Sequence, residues 1–169
     1  MPPLKQLLFI LLSVTVLAGV VTDLRFKKIP DLLTYPAILL ALGARFWIEG
    51  VGALDTGLLS GLAGLGATLL WFGAFALSSK KGMGWGDVKL AGVMGACFGM
   101  PLTIAAMVFV SLAGAFQAVV SLIWAGALSD TVRRVLARKV DAPDANPVKR
   151  SIPYGVAIAL GSFWAMWWA

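Results

Sequence analysis

Long apolar stretches alternate with short polar connections along this chain, and the apolar stretches dominate. They cover about residues 4–22, 33–48, 57–78, 87–100, 101–128 and 153–168. A helix needs on the order of 20 apolar residues to cross the hydrocarbon core, and shorter ones are tolerated inside a bundle. The pattern predicts an all-α fold, a polytopic membrane bundle of about six transmembrane helices, as one domain over residues 1–169. Connections are expected at about 23–32, 79–86 and 129–152. The fourth run is short. Its roughly 14 residues from Asp87 to Pro101 rise only about 20 Å against a core of about 30 Å. Either the bilayer thins there, or the helix starts below the surface with an irregular Gly84-Trp85-Gly86 backbone, which needs a protein or cavity wall around it.

Composition supports the membrane reading. Hydrophobic residues make up 60% of the chain and charged residues 13%, with mean hydropathy +0.90. A soluble domain carries about twice that charged fraction. With no histidine, histidine-based metal sites and Ser-His or Cys-His catalysis are excluded. The single Cys97 excludes an internal disulfide and a C-x-x-C zinc module, and it reads as a small core residue. Nothing implies a metal, an organic cofactor or a nucleic acid.

The placement of Lys and Arg orients the spans. Arg25, Lys27 and Lys28 follow the first run, and Lys80, Lys81 and Lys89 flank the start of the fourth. Arg133, Arg134, Arg138, Lys139, Lys149 and Arg150 fill the connection before the last. The positive-inside rule then puts the N-terminus outside and the three basic connections in the cytoplasm, with only Lys5 and Arg45 opposed. The first run lacks a strongly positive n-region and a small-residue cleavage site, so it reads as a retained helix. Residues 129–140 suit a basic helix on an anionic leaflet or a solvated loop. Trp164, Trp167 and Trp168 close the last run as an interfacial belt. Gly57-x-x-x-Gly61 and Gly95-x-x-x-Gly99 suit close helix packing.

This orientation brings Asp23, at the end of the first run, to the same side as Asp87, in Gly84-Trp85-Gly86-Asp87-Val88-Lys89-Leu90. A carboxylate at the edge of a span is costly unless it is used. Two carboxyls close enough to share a proton can activate a water and protonate a departing amine. Gly84 and Gly86 would let such a site approach a substrate strand, and a helix starting at Asp87 would aim free N–H groups at it. The same residues also suit an ordinary N-cap at Asp87, with Asp23 and Asp31 paired to nearby Arg and Lys. A small proton-coupled transporter is a further alternative. The residue pattern alone leaves these open.

Asp23-x-Arg-x-x-x-Ile29-Pro30 and Gly-Trp-Gly-Asp87-Val-Lys89-Leu, in that order and topology, resemble the two signatures of the type IV prepilin peptidases, membrane aspartyl proteases of the Gly-x-Gly-Asp class. Pro153-Tyr154-Gly155 before the last helix is similar to a recurring element of that family. The resemblance implies that Asp23 and Asp87 form a catalytic dyad, that Gly84 and Gly86 shape the active-site loop, and that Lys89 has a supporting place. It implies a prepilin or pseudopilin precursor as partner, cut at the cytoplasmic face before its hydrophobic N-terminal helix. The setting implied is the lipid bilayer of a bacterial inner membrane. Without a Cys-x-x-Cys segment the chain resembles the short peptidase-only form of Tad/Cpa Flp-pilus systems, with no N-methylation expected. Asp31 stands where the family often has Asn and is expected to be dispensable. At i and i+2, Lys89 and Asp87 do not share a helix face, so Lys89 is expected to reach headgroups or the basic side of the site.

Overall fold

The computed structural model describes residues 3–26, 28–78, 83–124 and 154–168. Among them every regular element is a helix, and there are six: α1 (Pro3–Phe26), α2 (Asp31–Glu49), α3 (Gly57–Ser78), α4 (Trp85–Phe98), α5 (Leu102–Trp124) and α6 (Tyr154–Trp168). The polytopic helical bundle expected from the apolar runs is the observed architecture. Four helices, α1, α2, α3 and most of α5, are long and apolar enough to cross a membrane. The basic stretch 129–140, residues 79–82 of the 79–86 connection and the 129–152 connection lie outside the described residues.

Two boundaries differ from the expectation. The first helix does not stop at residue 22 but continues to Phe26, so Asp23 is on its last turns and not in a loop. Nothing in Asp23-Leu24-Arg25-Phe26 breaks a helix, and the stop comes only with Ile29-Pro30, where the residue before proline is pushed out of the helical region. Pro30 then holds the extended conformation that precedes α2 (φ −70°, ψ 139°). The fourth helix starts at Trp85, two residues before Asp87.

The short α4 occupies the centre. Val88 and every residue from Leu90 to Phe98 are buried, whereas the longer helices each carry an exposed apolar face, such as Leu7, Ile10 and Val14 on α1 or Leu112 and Phe116 on α5. Its neighbours are α1, α2, α3, α5 and α6. A span that meets protein on all sides need not match the bilayer thickness, which accounts for its 14 residues.

Close approach makes this possible. A methyl placed on Gly64 of α3 would strike the carbonyl of Gly95, and one on Gly95 would strike that of Gly64. Of the glycines that the spacing singled out, Gly95 makes this contact, with Gly64 as its partner, and Gly61 lies close to Arg45, Leu42 and the Ala96 carbonyl. Gly57 and Gly99 instead sit at helix ends with φ +66° and +65°, where a side chain is disfavoured.

The C-terminal end of α4 has carbonyls with no partner in its own helix. Arg45 of α2, itself buried, donates from Nε to the carbonyl oxygen of Ala96 (3.0 Å) and from Nη2 to that of Cys97 (2.8 Å). Ser60 Oγ donates to the Met100 carbonyl (3.1 Å) and accepts its N–H (2.9 Å), and Thr103 Oγ1 donates to the Gly99 carbonyl (2.8 Å). Arg45, an exception to the charge pattern, is thus a cap on the buried helix and not a loop charge. Cys97 lies buried beside it, as a core residue. Replacing the cap should be expensive: Arg45→Met should lower stability to SDS-induced unfolding by about 3 kcal/mol, since charged hydrogen bonds are lost and buried carbonyls orphaned. A change below about 0.5 kcal/mol would contradict the capping role.

Candidate active site

Two sequence-distant segments meet at the end of the bundle opposite Arg45. Gly19 of α1 packs against Leu90 of α4, where an added Cβ would lie 3.1 Å from Leu90 Cδ2. One turn further along α1 stands Asp23, and one turn back along α4 stands Asp87. The two carboxyls lie within electrostatic reach of each other. Both side chains are half-buried, and each has one buried oxygen, Asp23 Oδ2 and Asp87 Oδ1, without a hydrogen-bond partner among the described residues. Buried polar atoms are nearly always paired, so two such carboxylate oxygens at one place call for an explanation, in chemistry or in bound water or ions.

Each aspartate faces the start of a helix. Asp87 is the third residue of α4 and reaches back, its Oδ2 accepting the N–H of Gly84 at 3.3 Å. That is the N3 arm of a capping box with glycine in the capping position. It differs from both sequence readings of the position: Asp87 neither caps the helix as its N-cap nor opens it. Gly84 and Gly86 also behave differently from the loop expected of them. Gly84 has an ordinary extended conformation (φ −73°) and Gly86 is already helical, so neither needs a left-handed backbone. Their use is spatial. A side chain on Gly84 would meet Asp87 Oδ2 at 3.3 Å, and one on Gly86 would meet Ile29 Cβ at 3.1 Å.

Ile29 is how the two motifs are joined. It is buried, and it fills the place that Gly86 leaves empty. The Ile-Pro pair thereby ends the α1 side of the site and locks it to the first turn of α4. On the other flank Gly155, second residue of α6, lies against Asp23. Its backbone N–H interacts with the Asp23 carboxylate, and a Cβ there would sit 3.4 Å from Oδ2. The α6 N-terminus thus faces Asp23 as the α4 N-terminus faces Asp87, with their positive ends and free N–H groups directed at the carboxylates. Tyr154 precedes Gly155. Its ring packs edge-on to Phe72 (6.4 Å), its hydroxyl end lies at Gly114 of α5, and it is in electrostatic reach of Asp87. The sequence signal for this flank of the site was the Pro153-Tyr154-Gly155 element; its partner, Asp23, was not readable from it.

Lys89 does not join the pair. Its Nζ sits 2.6 Å from Asp31 Oδ1 and 5.1 Å from the centre of the Tyr35 ring, bridging α4 to the first turn of α2. Asp31 therefore has a partner of its own and is not a third member of the dyad. Because the pair is partly exposed, its worth is modest. A double-mutant cycle with Asp31→Asn and Lys89→Met should give a small favourable coupling in SDS unfolding, smaller at high salt. A coupling near zero would mean that the ion pair does not hold α2 to α4.

Among the described residues no group of three or more Asp, Glu or Cys side chains is arranged to hold a metal ion. The chemistry available is that of two carboxyl groups and nearby backbone N–H groups. Residues 10–119 match the sequence model described as the type IV leader peptidase family. That match takes in both aspartate motifs. No curated protein and no solved structure matches the chain.

Proposed function

The chain belongs to the type IV leader peptidase family, and we propose that it is an aspartyl endopeptidase that removes the leader of prepilin-like precursors with Asp23 and Asp87 as its catalytic pair. The observation that carries this reading is the meeting of two carboxyls, each with an orphaned buried oxygen, at the ends of α1 and α4. In this mechanism one carboxylate takes a proton from water as the water oxygen bonds to the scissile carbonyl carbon. The other, protonated, gives its proton to the amine nitrogen as the C–N bond breaks. One proton shared by the pair at the start is returned at the end. The N–H groups opening α4 and α6 supply fixed dipoles near the carboxyls.

Gly84, beside Asp87 at the exposed rim, leaves space for the extended backbone of the leader junction. The basic residues Arg25 and Lys28 near Asp23 favour the reading in which this end faces the cytoplasm. The precursor would arrive by lateral diffusion in the same bilayer, its own hydrophobic helix beside the bundle. A transporter would need a polar path to the far end. There the buried Arg45 and Thr103 are engaged by backbone carbonyls, and Thr68, midway, bonds to carbonyls of its own helix.

Co-expression with a prepilin from the same genome tests the proposal. The wild type should yield the leader-removed band. Asp23→Asn and Asp87→Asn should each lower processing by at least about 100-fold with membrane expression retained. Processing that survives either change would remove the dyad. Gly86→Val, which forces Ile29 outward, should also reduce processing by about tenfold or more, because misplacement of a catalytic group by an ångström costs heavily. Unchanged processing by that variant would show that the Ile29 contact does not set the geometry.

A further inference from the structure

Residues 125–153 separate α5 from α6, a length whose reach far exceeds one helical turn, so connectivity alone does not set how α6 sits along α5. The fit of side chains has to do so, and two notches provide it. Gly161 of α6 leaves room for α5, since a Cβ there would lie 2.5 Å from Val110 N. Gly114 of α5 leaves room for Tyr154, since a Cβ there would lie 2.6 Å from the tyrosine oxygen, 2.7 Å from Cε2 and 2.8 Å from Cζ. Gly114 is buried and continues the buried line of Thr103, Ala106 and Val110 along one face of α5. The Tyr154 ring also meets α3, where it packs edge-on to Phe72, itself buried, with ring centres 6.4 Å apart. One ring is thus held by two helices. The next residue is Gly155, whose N–H interacts with the Asp23 carboxylate.

We propose that Tyr154 is a positioning residue of the aspartate pair, its ring keyed into Gly114 and against Phe72 so that the Gly155 N–H is held at Asp23; this rests on the peptidase function proposed above. A Cβ on Gly155 would lie 3.4 Å from Asp23 Oδ2 and 3.7 Å from Asp23 Cβ, so the α6 backbone already lies against that side chain. An N–H···O contact spans only about 0.5 Å of useful length. Sliding or turning α6 by an ångström would therefore take the N–H off the carboxylate. A hydrogen bond from a backbone N–H fixes where a carboxylate points, and acid–base work on a water needs that direction within hydrogen-bond reach. The ring does the keying. Two of the three atoms nearest Gly114 belong to it, and the ring is what meets Phe72. Tyr154 touches neither water nor substrate in this role and acts through Gly155.

Disulfide formation reads the seat of α6 without reference to activity. In a Cys97→Ala background, Asp23→Cys with Gly155→Cys places two Cβ atoms 3.7 Å apart, inside the range that a disulfide spans. This pair should oxidise readily with Tyr154 in place or with Tyr154→Phe, and about tenfold more slowly or worse with Tyr154→Ala. Processing of a prepilin precursor by chains that keep both aspartates reads the consequence. Tyr154→Ala should lower kcat about tenfold or more with KM nearly unchanged, while Tyr154→Phe stays within about twofold of the wild type. Gly114→Ala, which pushes on the ring, should lower kcat too, and adding Tyr154→Leu should restore part of it by vacating the space. A Tyr154→Phe chain as impaired as Tyr154→Ala would transfer the role to the hydroxyl and overturn the keying. So would a 23–155 disulfide that forms as fast with Tyr154→Ala, or that never forms with Tyr154 in place. A ring-dependent disulfide with unchanged kcat in Tyr154→Ala would contradict the role in catalysis. Absence of processing by the wild type would end the peptidase reading and this role with it, while the disulfide would still report whether the ring seats α6.

Discussion

A helix inside a bilayer has no water to satisfy its ends, and in this molecule the helix that matters most is also among the shortest. The 14-residue α4 depends on its neighbours for that satisfaction. At one end, buried Arg45 reaches from α2 to the carbonyls of Ala96 and Cys97. At the other, Asp87 folds back on the N–H of Gly84. Between them, Gly64 and Gly95 bring α3 and α4 into backbone contact. Sheathing α4 lets its first turn stop where Asp23 lies, and the position of Asp87 follows from that.

The site is assembled by steric exclusion more than by attraction. Neither Gly84 nor Gly86 has torsion angles that demand glycine. Each is small because something else takes the place of its side chain, Asp87 Oδ2 in one case and Ile29 in the other. Gly155 stands likewise at ordinary contact distance from Asp23. Three chain segments, ending in Ile-Pro, beginning with Gly-Trp-Gly-Asp and beginning with Tyr-Gly, thus close on two carboxyl groups. That convergence explains how motifs more than fifty residues apart in sequence belong to one site.

Much of this was legible in the sequence. The apolar runs marked all six helices of the described residues because lipid-facing and buried positions are both apolar, so length and hydropathy suffice. The same fact hid the packing: with apolar faces all round, no periodicity tells lipid from protein, and the central place of α4 could be suspected only from its shortness. Arg45 was misleading for a related reason, since a charge rule reads every Arg as a loop charge and does not anticipate a buried cap. Asp23 and Asp87 stood out because carboxylates are rare in such a chain. The Lys89–Asp31 pairing was hidden, because it depends on how α2 leans on α4 and no sequence spacing encodes that. Asp23 was misread as a loop residue because Arg25 and Lys27 look like a boundary, whereas a helix ends only where its backbone is stopped.

The central claim is that α1 and α4 bring the carboxyls of Asp23 and Asp87 within electrostatic reach of each other. A short bifunctional thiol reagent tests it directly in an Asp23→Cys, Asp87→Cys chain whose Cys97 is replaced by alanine. An Asp31→Cys, Lys89→Cys chain serves as positive control, because those side chains are in contact in the structure. The account predicts an intramolecular link in both double variants and in none of the single ones. A link in the control and none between positions 23 and 87 would mean that the two aspartates do not meet, and the dyad would fall with them.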